Sequence, residues 1–194
     1  SPFDRWRYGG DEAAVSVEAR RGFDVFAGKG GCAGCHLVGE PYALFTDHGL
    51  HDTGIGYRDP RESVGGRPRM QIAPGELIEL HPDAGALPTP GADLGRYEIT
   101  GDPADRWKFK TPTLRNVALT APYMHDGSLP TLAAVIDYYD AGGRPHDGLD
   151  ARVRPLGLTA EENGALVKFL ESLTGENVPA LVADALAAPV GDPR

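Results

Sequence analysis

The sequence predicts an all-α domain in which a few helices are joined by long irregular loops. Amphipathic helical patterns lie near both ends of the chain, one beginning at Val17 and the other spanning residues 159–175. Turn-forming residues are frequent between them, since the 194 residues include 26 Gly and 17 Pro. A Cys-x-x-Cys-His motif at residues 32–36 predicts a bound cofactor that fills part of the core of this modest scaffold.

Composition and charge limit the classes of partner. Hydrophobic residues make up 41% of the chain, which is enough to bury the core of one domain. The formal net charge of -9 argues against binding to nucleic acid or to anionic membrane surfaces. No stretch is long and apolar enough to span a membrane. Both cysteines lie in the motif, so we expect no structural disulfide.

The chain opens on a segment that we interpret as a linker or extension packed on another part of the protein. Residues 1–15 mix polar and aromatic side chains and are interrupted by two glycines. Ser16 suits the N-cap of a first helix, on which Gly22 and Phe26 share a face with other apolar residues. Further glycines end this helix just before the motif. The small residue at position 22 predicts a close crossing with another helix.

The Cys32–His36 motif is typical of covalent attachment of a c-type haem. Two thiols three positions apart lie on one side of a single helical turn, within reach of both vinyl groups of one porphyrin. His36 then supplies an imidazole to the iron. A zinc site would need four ligands, and the chain has no second cysteine pair. A thioredoxin-like redox pair would need a βαβ setting, which the flanking pattern does not provide.

A proximal histidine leaves a second axial position on the iron. A Met thioether there favours ferrous iron and raises the reduction potential, whereas a Tyr phenolate favours ferric iron and lowers it. Spacing alone does not choose between these ligand types, and a buried tyrosine is more often a core residue with a hydrogen-bonded hydroxyl. The candidates for this position are Met70, Met124, Tyr139, His51 and His125.

Two stretches between the helices lack a lasting period. Residues 45–56 carry His48 and His51, and residues 58–95, rich in Arg, Pro and Gly, are interpreted as an irregular insertion apart from a short apolar run near Leu77. Downstream, a turn marked by proline and glycine precedes a further helix, for which Thr131 suits the N-cap. Tyr139 shares the apolar face of that helix.

The last helix has the clearest start signal in the sequence. Thr159 and Glu162 form the pattern of a capping box. Apolar residues at 166, 169, 170 and 173 then create one face, which we expect to cross the first helix and to form one side of the haem pocket. Residues 178–194 are interpreted as a loose C-terminal tail.

Three segments around this scaffold carry a resemblance to a known family. They are Phe-Thr-Asp-His-Gly-Leu-His-Asp-Thr-Gly at 45–54, Thr-Pro-Thr-Leu-Arg-Asn-Val at 111–117 and Ala-Pro-Tyr-Met-His-Asp-Gly at 121–127. With the haem motif and the last helix, they make residues 1–176 resemble the carboxy-terminal haem domain of the bacterial dihaem cytochrome c peroxidase and MauG family.

The resemblance implies a fold and a domain organisation. The fold is a class I cytochrome c-like domain with long irregular loops around a covalent c-type haem. Residues 1–15 would be a linker from a preceding haem domain, residues 16–177 the haem domain and residues 178–194 the tail.

The resemblance also implies roles for single residues. In this family the sixth ligand of the matching haem comes from the helix after the His-Asp-Gly turn. That position is Tyr139 here, so the sequence resembles the Tyr-ligated, MauG-like branch, with Met124 as the rival ligand. Thr120 and Pro122 match positions whose backbone carbonyls bind calcium between two haem domains. Arg115 is expected to serve the haem propionates.

By the same resemblance, the chain is the half of a dihaem oxidoreductase that carries the electron-transfer haem. In MauG-like enzymes hydrogen peroxide reacts at the other haem, a high-valent state forms, and an aromatic residue of a partner protein is oxidised. We therefore assign no catalytic residue within this chain. The alternatives are a dihaem cytochrome c peroxidase reduced by a small cytochrome, a monohaem electron carrier without catalytic turnover, and a mainly structural domain with a calcium-bridged interface.

The single haem motif departs from the family pattern of two haems on one chain. We therefore expect an N-terminal haem domain before Ser1 or a second haem-bearing chain, together with a protein substrate or redox partner. Because c-type haem is attached outside the bacterial cytoplasm, we expect a periplasmic protein from which a leader has been removed.

Overall fold

A computed structural model describes residues 1–57, 69–73, 76–79 and 93–187. Within these ranges the chain is rich in helix, as the sequence predicts. The α-helices are α1 Pro2–Arg7, α2 Val17–Ala27, α3 Tyr97–Thr100, α4 Leu132–Asp140, α5 Ala160–Glu171 and α6 Val178–Ala187. Single turns of 3-10 helix lie at Cys32–Gly34, Pro103–Asp105 and Val117–Leu119.

Within the described residues, four short strands depart from the all-α prediction. They form two pairs, β1 Leu50–Asp52 with β4 Lys108–Lys110, and β2 Arg69–Ala73 with β3 Glu76–Glu79 in an antiparallel hairpin. The hairpin lies inside the segment that we interpreted as an irregular insertion. Strands of three to five residues show too few alternations for a period of two to be recognised.

The chain divides into two compact units. Unit 1 contains the described residues of Ser1–Gly49, Lys110–Gly143 and Ala151–Arg194, and unit 2 contains those of Leu50–Phe109 and Arg144–Asp150. The single haem domain predicted over residues 16–177 therefore corresponds to most of unit 1 together with unit 2.

Helix starts in unit 1 follow the capping signals in the sequence. Ser16, Thr131 and Thr159 each accept a hydrogen bond from the amide three positions further on, at 3.1 to 3.2 Å. Glu162 completes the predicted capping box, because its carboxylate accepts from the Thr159 amide at 2.8 Å. These side chains satisfy amide groups that have no partner within the helix.

An aromatic core holds unit 1 together. Phe3, Phe26, Phe45 and Phe169 are at most 2% exposed, and their rings contact one another at centroid separations of 4.8 to 6.0 Å. Phe3 belongs to α1, whose amide at Phe3 also donates to the carbonyl of Ser172 at 3.1 Å. Residues 1–15 therefore contribute to this core, in agreement with their interpretation as an extension packed on another part of the protein. One buried side chain in a six-residue helix leaves no periodic signal.

Unit 2 encloses a histidine–aspartate pair. Asp52 is 2% exposed and accepts hydrogen bonds from the Gly54 amide at 2.9 Å and from His146 Nε2 at 3.2 Å. The Gly148 amide donates to His146 Nδ1 at 3.2 Å, which assigns the ring proton to Nε2. The imidazole stacks on Tyr57 with a centroid separation of 4.2 Å. Burial raises the pKa of Asp52, and the bonds from Gly54 and His146 partly offset that rise.

The segment that we interpreted as a loose tail begins with a helix. Residues 178–187 form α6, on which Leu181 and Val182 are exposed, and residues 188–194 lie outside the described residues. None of the helices in the described part of the chain combines the length and apolar character that crossing a bilayer requires.

Candidate haem site

The Cys32–His36 motif forms one tight helical turn in unit 1. Gly31 precedes it with φ of +63°, in the left-handed region that favours glycine. The amides of Cys35 and His36 then both donate to the carbonyl of Cys32, at 3.2 and 2.9 Å. The two thiols and the imidazole are thus presented by a single turn of the backbone.

The surroundings of Cys32 leave little room for other side chains. A Cβ atom at Gly30 would stand 3.3 Å from the Cys32 sulfur and 2.8 Å from the carbonyl oxygen of Val25. Neither Cys32 nor Cys35 is in a disulfide. Burial raises the pKa of the Cys32 thiol to about 11. Gly30 is therefore required mainly by the close approach of the Val25 carbonyl, and the Cys32 sulfur adds a second tight contact.

His36 is held in the orientation that an axial ligand needs. Its Nδ1 lies 2.8 Å from the carbonyl oxygen of Phe45. Because a carbonyl only accepts, Nδ1 carries the proton and the lone pair of the neutral ring is at Nε2. The ring centroid of Phe26 lies 6.5 Å from that of His36, and both phenylalanines are buried. Two thiols, an oriented imidazole and an apolar flank fit a c-type haem.

Thr46 and Thr111 form a buried polar contact beside Phe45, whose carbonyl accepts the hydrogen bond from His36. Thr46 Oγ1 donates to the Thr111 carbonyl at 2.7 Å, and Thr46 directly follows Phe45. Thr111 is 6% exposed, and its own Oγ1 has no hydrogen-bond partner among the described residues. A buried hydroxyl of this kind normally has a partner. Neither threonine stands at a spacing that would indicate this contact.

The rival distal ligands of unit 1 lie on different elements. Met124 has φ of +70° in a turn closed by the Tyr123 amide, which donates to the Leu129 carbonyl at 2.7 Å. Tyr139 is half-buried in the last turn of α4, where its ring contacts that of Tyr138 at 5.5 Å. Met124 is also half-buried. Ligation by Tyr139, with Met124 as rival, stays a prediction.

The other three distal candidates have different surroundings. His51 belongs to unit 2, where its Nδ1 lies 2.9 Å from Asp150 Oδ2. His125 is exposed in the turn after Met124. Met70 lies on β2, and its side chain is outside the described part of the structure.

Arg115 is engaged within unit 1. Its Nη1 and Nη2 each donate to Asp4 at 2.7 Å, Nη1 also donates to Ser1 Oγ at 3.2 Å, and Nε donates to the Ala43 carbonyl at 2.7 Å. Burial alone raises the pKa of the Asp4 carboxyl, but hydrogen bonds from Arg115 and Ser1 outweigh it and hold that pKa well below its usual range. A contact between Arg115 and a haem propionate stays a prediction.

The two predicted calcium positions lie on the surface of unit 1. Thr120 follows the 3-10 turn Val117–Leu119, and Pro122 follows a cis peptide bond at Ala121. Both residues are exposed. Binding of calcium by their backbone carbonyls also stays a prediction.

Comparison with known proteins places the chain among haem proteins. It is 40% identical over 181 residues to the cytochrome-c peroxidase IdrP2 of Denitromonas iodatirespirans, covering 91% of this chain and 44% of the relative. It is 36% identical over 178 residues to the methylamine utilization protein MauG of Methylorubrum extorquens, covering 91% and 40%. The cytochrome c peroxidase Ccp of Escherichia coli K12 is 31% identical, with 92% and 30% covered. The chain thus spans less than half the length of these relatives.

Comparison with solved structures finds the same kinds of protein as comparison of sequences. A MauG-like protein associated with microbial copper homeostasis matches with a TM-score of 0.68 and 31% identity, over 91% of this chain and 52% of that one. The diheme peroxidase BthA from Burkholderia thailandensis matches with a TM-score of 0.59 over 91% and 46%, and at 21% identity it supports the fold alone. No profile of a known protein family matches the chain.

Proposed function

The chain belongs to the family of bacterial cytochrome-c peroxidases and MauG, and from that premise we propose that it is one haem c domain of a peroxide-dependent dihaem oxidoreductase. The observation that carries the proposal is the haem motif itself. Within a chain 40% identical to a cytochrome-c peroxidase, the motif forms one turn and its histidine is oriented through Nδ1. The wider activity is proposed for the whole protein. This chain matches less than half the length of each of these relatives.

Each residue of the motif has a separate task. Cys32 and Cys35 bind the haem covalently through thioethers, and His36 binds the iron through Nε2. When bound, the haem supplies reversible one-electron transfer. The Phe45 carbonyl keeps the His36 proton on Nδ1. The buried rings of Phe26 and Phe45 exclude water from that side of the imidazole.

We assign the second axial position to Tyr139. A phenolate ligand favours ferric iron and suits a haem that gives up electrons rather than one that binds peroxide. In this proposal the peroxide-cleaving residues would lie in another haem domain or haem-bearing chain. The two haem domains together would use hydrogen peroxide to oxidise an aromatic residue of a partner protein. The support is the resemblance of the Tyr139 position to the MauG-like branch and the 36% identity to a MauG.

A second candidate function is that of a dihaem cytochrome c peroxidase. The favouring observation is the 40% identity to a cytochrome-c peroxidase, which exceeds the 36% identity to the MauG of Methylorubrum extorquens. That function would take electrons from a small reduced cytochrome. A periplasmic location and a calcium ion held by the Thr120 and Pro122 carbonyls fit both candidate functions and belong to the same proposal.

The test is near-infrared absorption and low-temperature EPR of the haem-loaded protein, before and after addition of hydrogen peroxide. The proposal predicts the spectrum of a Tyr-ligated ferric haem and a new near-infrared band after peroxide when both haem domains are present. A methionine-to-iron charge-transfer band without any response to peroxide would contradict it and indicate an electron carrier. Turnover with a reduced small c-type cytochrome as donor would favour the peroxidase over the MauG-like enzyme.

A further inference from the structure

We propose that Arg115 and Asp4 are positioning residues for the imidazole of His36. They act through residues 43–45, which we call the strap, by fixing the carbonyl that accepts the hydrogen bond from Nδ1. The inference rests on the proposed binding of His36 to haem iron, and all of these residues belong to unit 1.

Three consecutive carbonyls of the strap accept side-chain hydrogen bonds. The donors, in order along residues 43–45, are Arg115 Nε at 2.7 Å, Thr113 Oγ1 at 2.6 Å and His36 Nδ1 at 2.8 Å. The first two donors come from one short segment, in which the Arg115 amide also donates to Thr113 Oγ1 at 3.1 Å. This segment therefore holds the strap at the two residues that precede the acceptor of the histidine.

The acceptor residue has a backbone conformation that depends on its surroundings. Phe45 has φ of +54°, which a bulky side chain adopts only where neighbouring contacts enforce it. Its ring is fully buried and packs on those of Phe3, Phe26 and Phe169. The direction of the Phe45 carbonyl thus follows from ring packing on one side and from the strap hydrogen bonds on the other.

Asp4 fixes the plane of the Arg115 guanidinium. The ion pair is bidentate, with Nη1 and Nη2 each 2.7 Å from one carboxylate oxygen, and a bidentate pair restricts orientation as well as distance. The guanidinium also lies over the Phe45 ring, 5.2 Å from its centroid. Asp4 therefore directs Nε toward the Ala43 carbonyl and balances a charge that is only 22% exposed.

The hydrogen bond at Nδ1 connects this arrangement to the chemistry of His36. A stronger bond from Nδ1 makes the imidazole a more electron-rich ligand, and a more electron-rich ligand lowers the reduction potential of the iron. Loosening the strap weakens the bond from Nδ1 to Phe45. We therefore expect variants that release the strap to shift the haem potential to more positive values.

The experiment is a redox titration of the haem-loaded chain in six forms: wild type, Arg115→Gln, Asp4→Asn, Thr113→Val, Thr113→Ser and Arg5→Gln. The matched control is Arg5→Gln, because Arg5 lies on the same helix as Asp4 and pairs with the exposed Glu176 at 3.1 Å. We expect positive shifts for Arg115→Gln, Asp4→Asn and Thr113→Val, and the wild-type potential for Arg5→Gln. Thr113→Ser retains the hydroxyl and is expected to restore the wild-type value.

The EPR g-values of the ferric haem-loaded chain are a second measurement, and a loss of stability alone would not change them. Altered g-values are expected in Arg115→Gln and Thr113→Val but not in Arg5→Gln. Unchanged potentials and g-values in folded Arg115→Gln and Thr113→Val would overturn the inference. A shift in Arg115→Gln with none in Thr113→Val would also overturn it, since it would indicate a direct contact between Arg115 and the haem.

The proposed function and this inference fail in different ways. A wild-type chain without covalent haem, or an EPR spectrum that His36→Gly leaves unchanged, contradicts the proposed haem site. A wild-type chain with a His36-ligated haem and insensitive strap variants contradicts only the positioning role. If Arg115→Gln does not fold, Asp4→Asn decides the role of the ion pair, and Thr113→Val compared with Thr113→Ser decides whether release of the strap affects His36.

Discussion

Gly22 of α2 lies directly against the carbonyl of Ala165 on α5. A Cβ atom at Gly22 would overlap that oxygen and would stand 2.8 Å from the Cβ of Phe169. The two helices therefore cross at a point where only a glycine fits. This crossing joins the helix before the haem motif to the helix that supplies Phe169 to the aromatic core.

Gly22→Ala is expected to destabilise the protein by about 1–3 kcal/mol, because the added methyl group forces the helices apart. Gly164→Ala is the matched control, since a Cβ at Gly164 in the middle of α5 meets nothing within 4 Å. The control should stabilise the protein by about 0.5–1 kcal/mol through reduced chain entropy. Urea unfolding of the haem-loaded chain measures both, and a Gly22→Ala variant as stable as wild type would refute the close crossing.

The capping box of α5 gives a second stability prediction. Thr159→Ala removes the hydroxyl that accepts from the Glu162 amide, and loss of an N-cap side chain costs about 1 kcal/mol. Thr159→Ser keeps the hydroxyl and should stay close to wild type. The comparison is made by urea unfolding, and equal midpoints for the alanine and serine variants would show that the cap contributes nothing.

Acid should weaken the Asp4–Arg115 pair. The pKa of Asp4 lies below its unfolded value of 3.8 in the folded chain, so the carboxylate contributes stability that is present above that value and is lost as the pH falls below it. The stability difference between wild type and Asp4→Asn should therefore be largest near pH 6 and shrink toward pH 3. A difference that stays constant over this range, measured by urea unfolding at each pH, would contradict a lowered pKa of Asp4 in the folded chain.

The distal ligand can be identified by exchanging it. Tyr139→Met should raise the reduction potential and introduce a methionine-to-iron charge-transfer band, whereas Met124→Leu should change neither. Because axial ligands tune haem potentials over about 0.8 V, the shift should exceed that of any strap variant. Loss of a native methionine band in Met124→Leu would instead assign the position to Met124.

Local patterns made the helices of unit 1 predictable. The caps at Ser16, Thr131 and Thr159 and the small residue at Gly22 are read from a few neighbouring residues, and the structure confirms them. The turn formed by the haem motif was equally local.

Contacts between distant residues were not predictable in the same way. Asp4 and Arg115 are 111 positions apart, and neither has a partner that sequence spacing reveals. Phe3 is a core residue, but the sequence predicts only that residues 1–15 pack on another part of the protein and does not indicate which side chains they contact. The strap carbonyls left no signal, because a backbone acceptor is present at every residue and its use depends on the tertiary fold.

The central claim is that Cys32 and Cys35 hold a haem covalently, and the most direct test is the intact mass of the denatured chain. The chain is produced in a bacterial periplasm with active c-type haem attachment, beside a known c-type cytochrome as positive control. We predict the polypeptide mass plus one haem for wild type, and the bare polypeptide mass for the Cys32→Ala/Cys35→Ala variant. A wild-type chain that shows the bare polypeptide mass while the control cytochrome carries its haem would contradict the account.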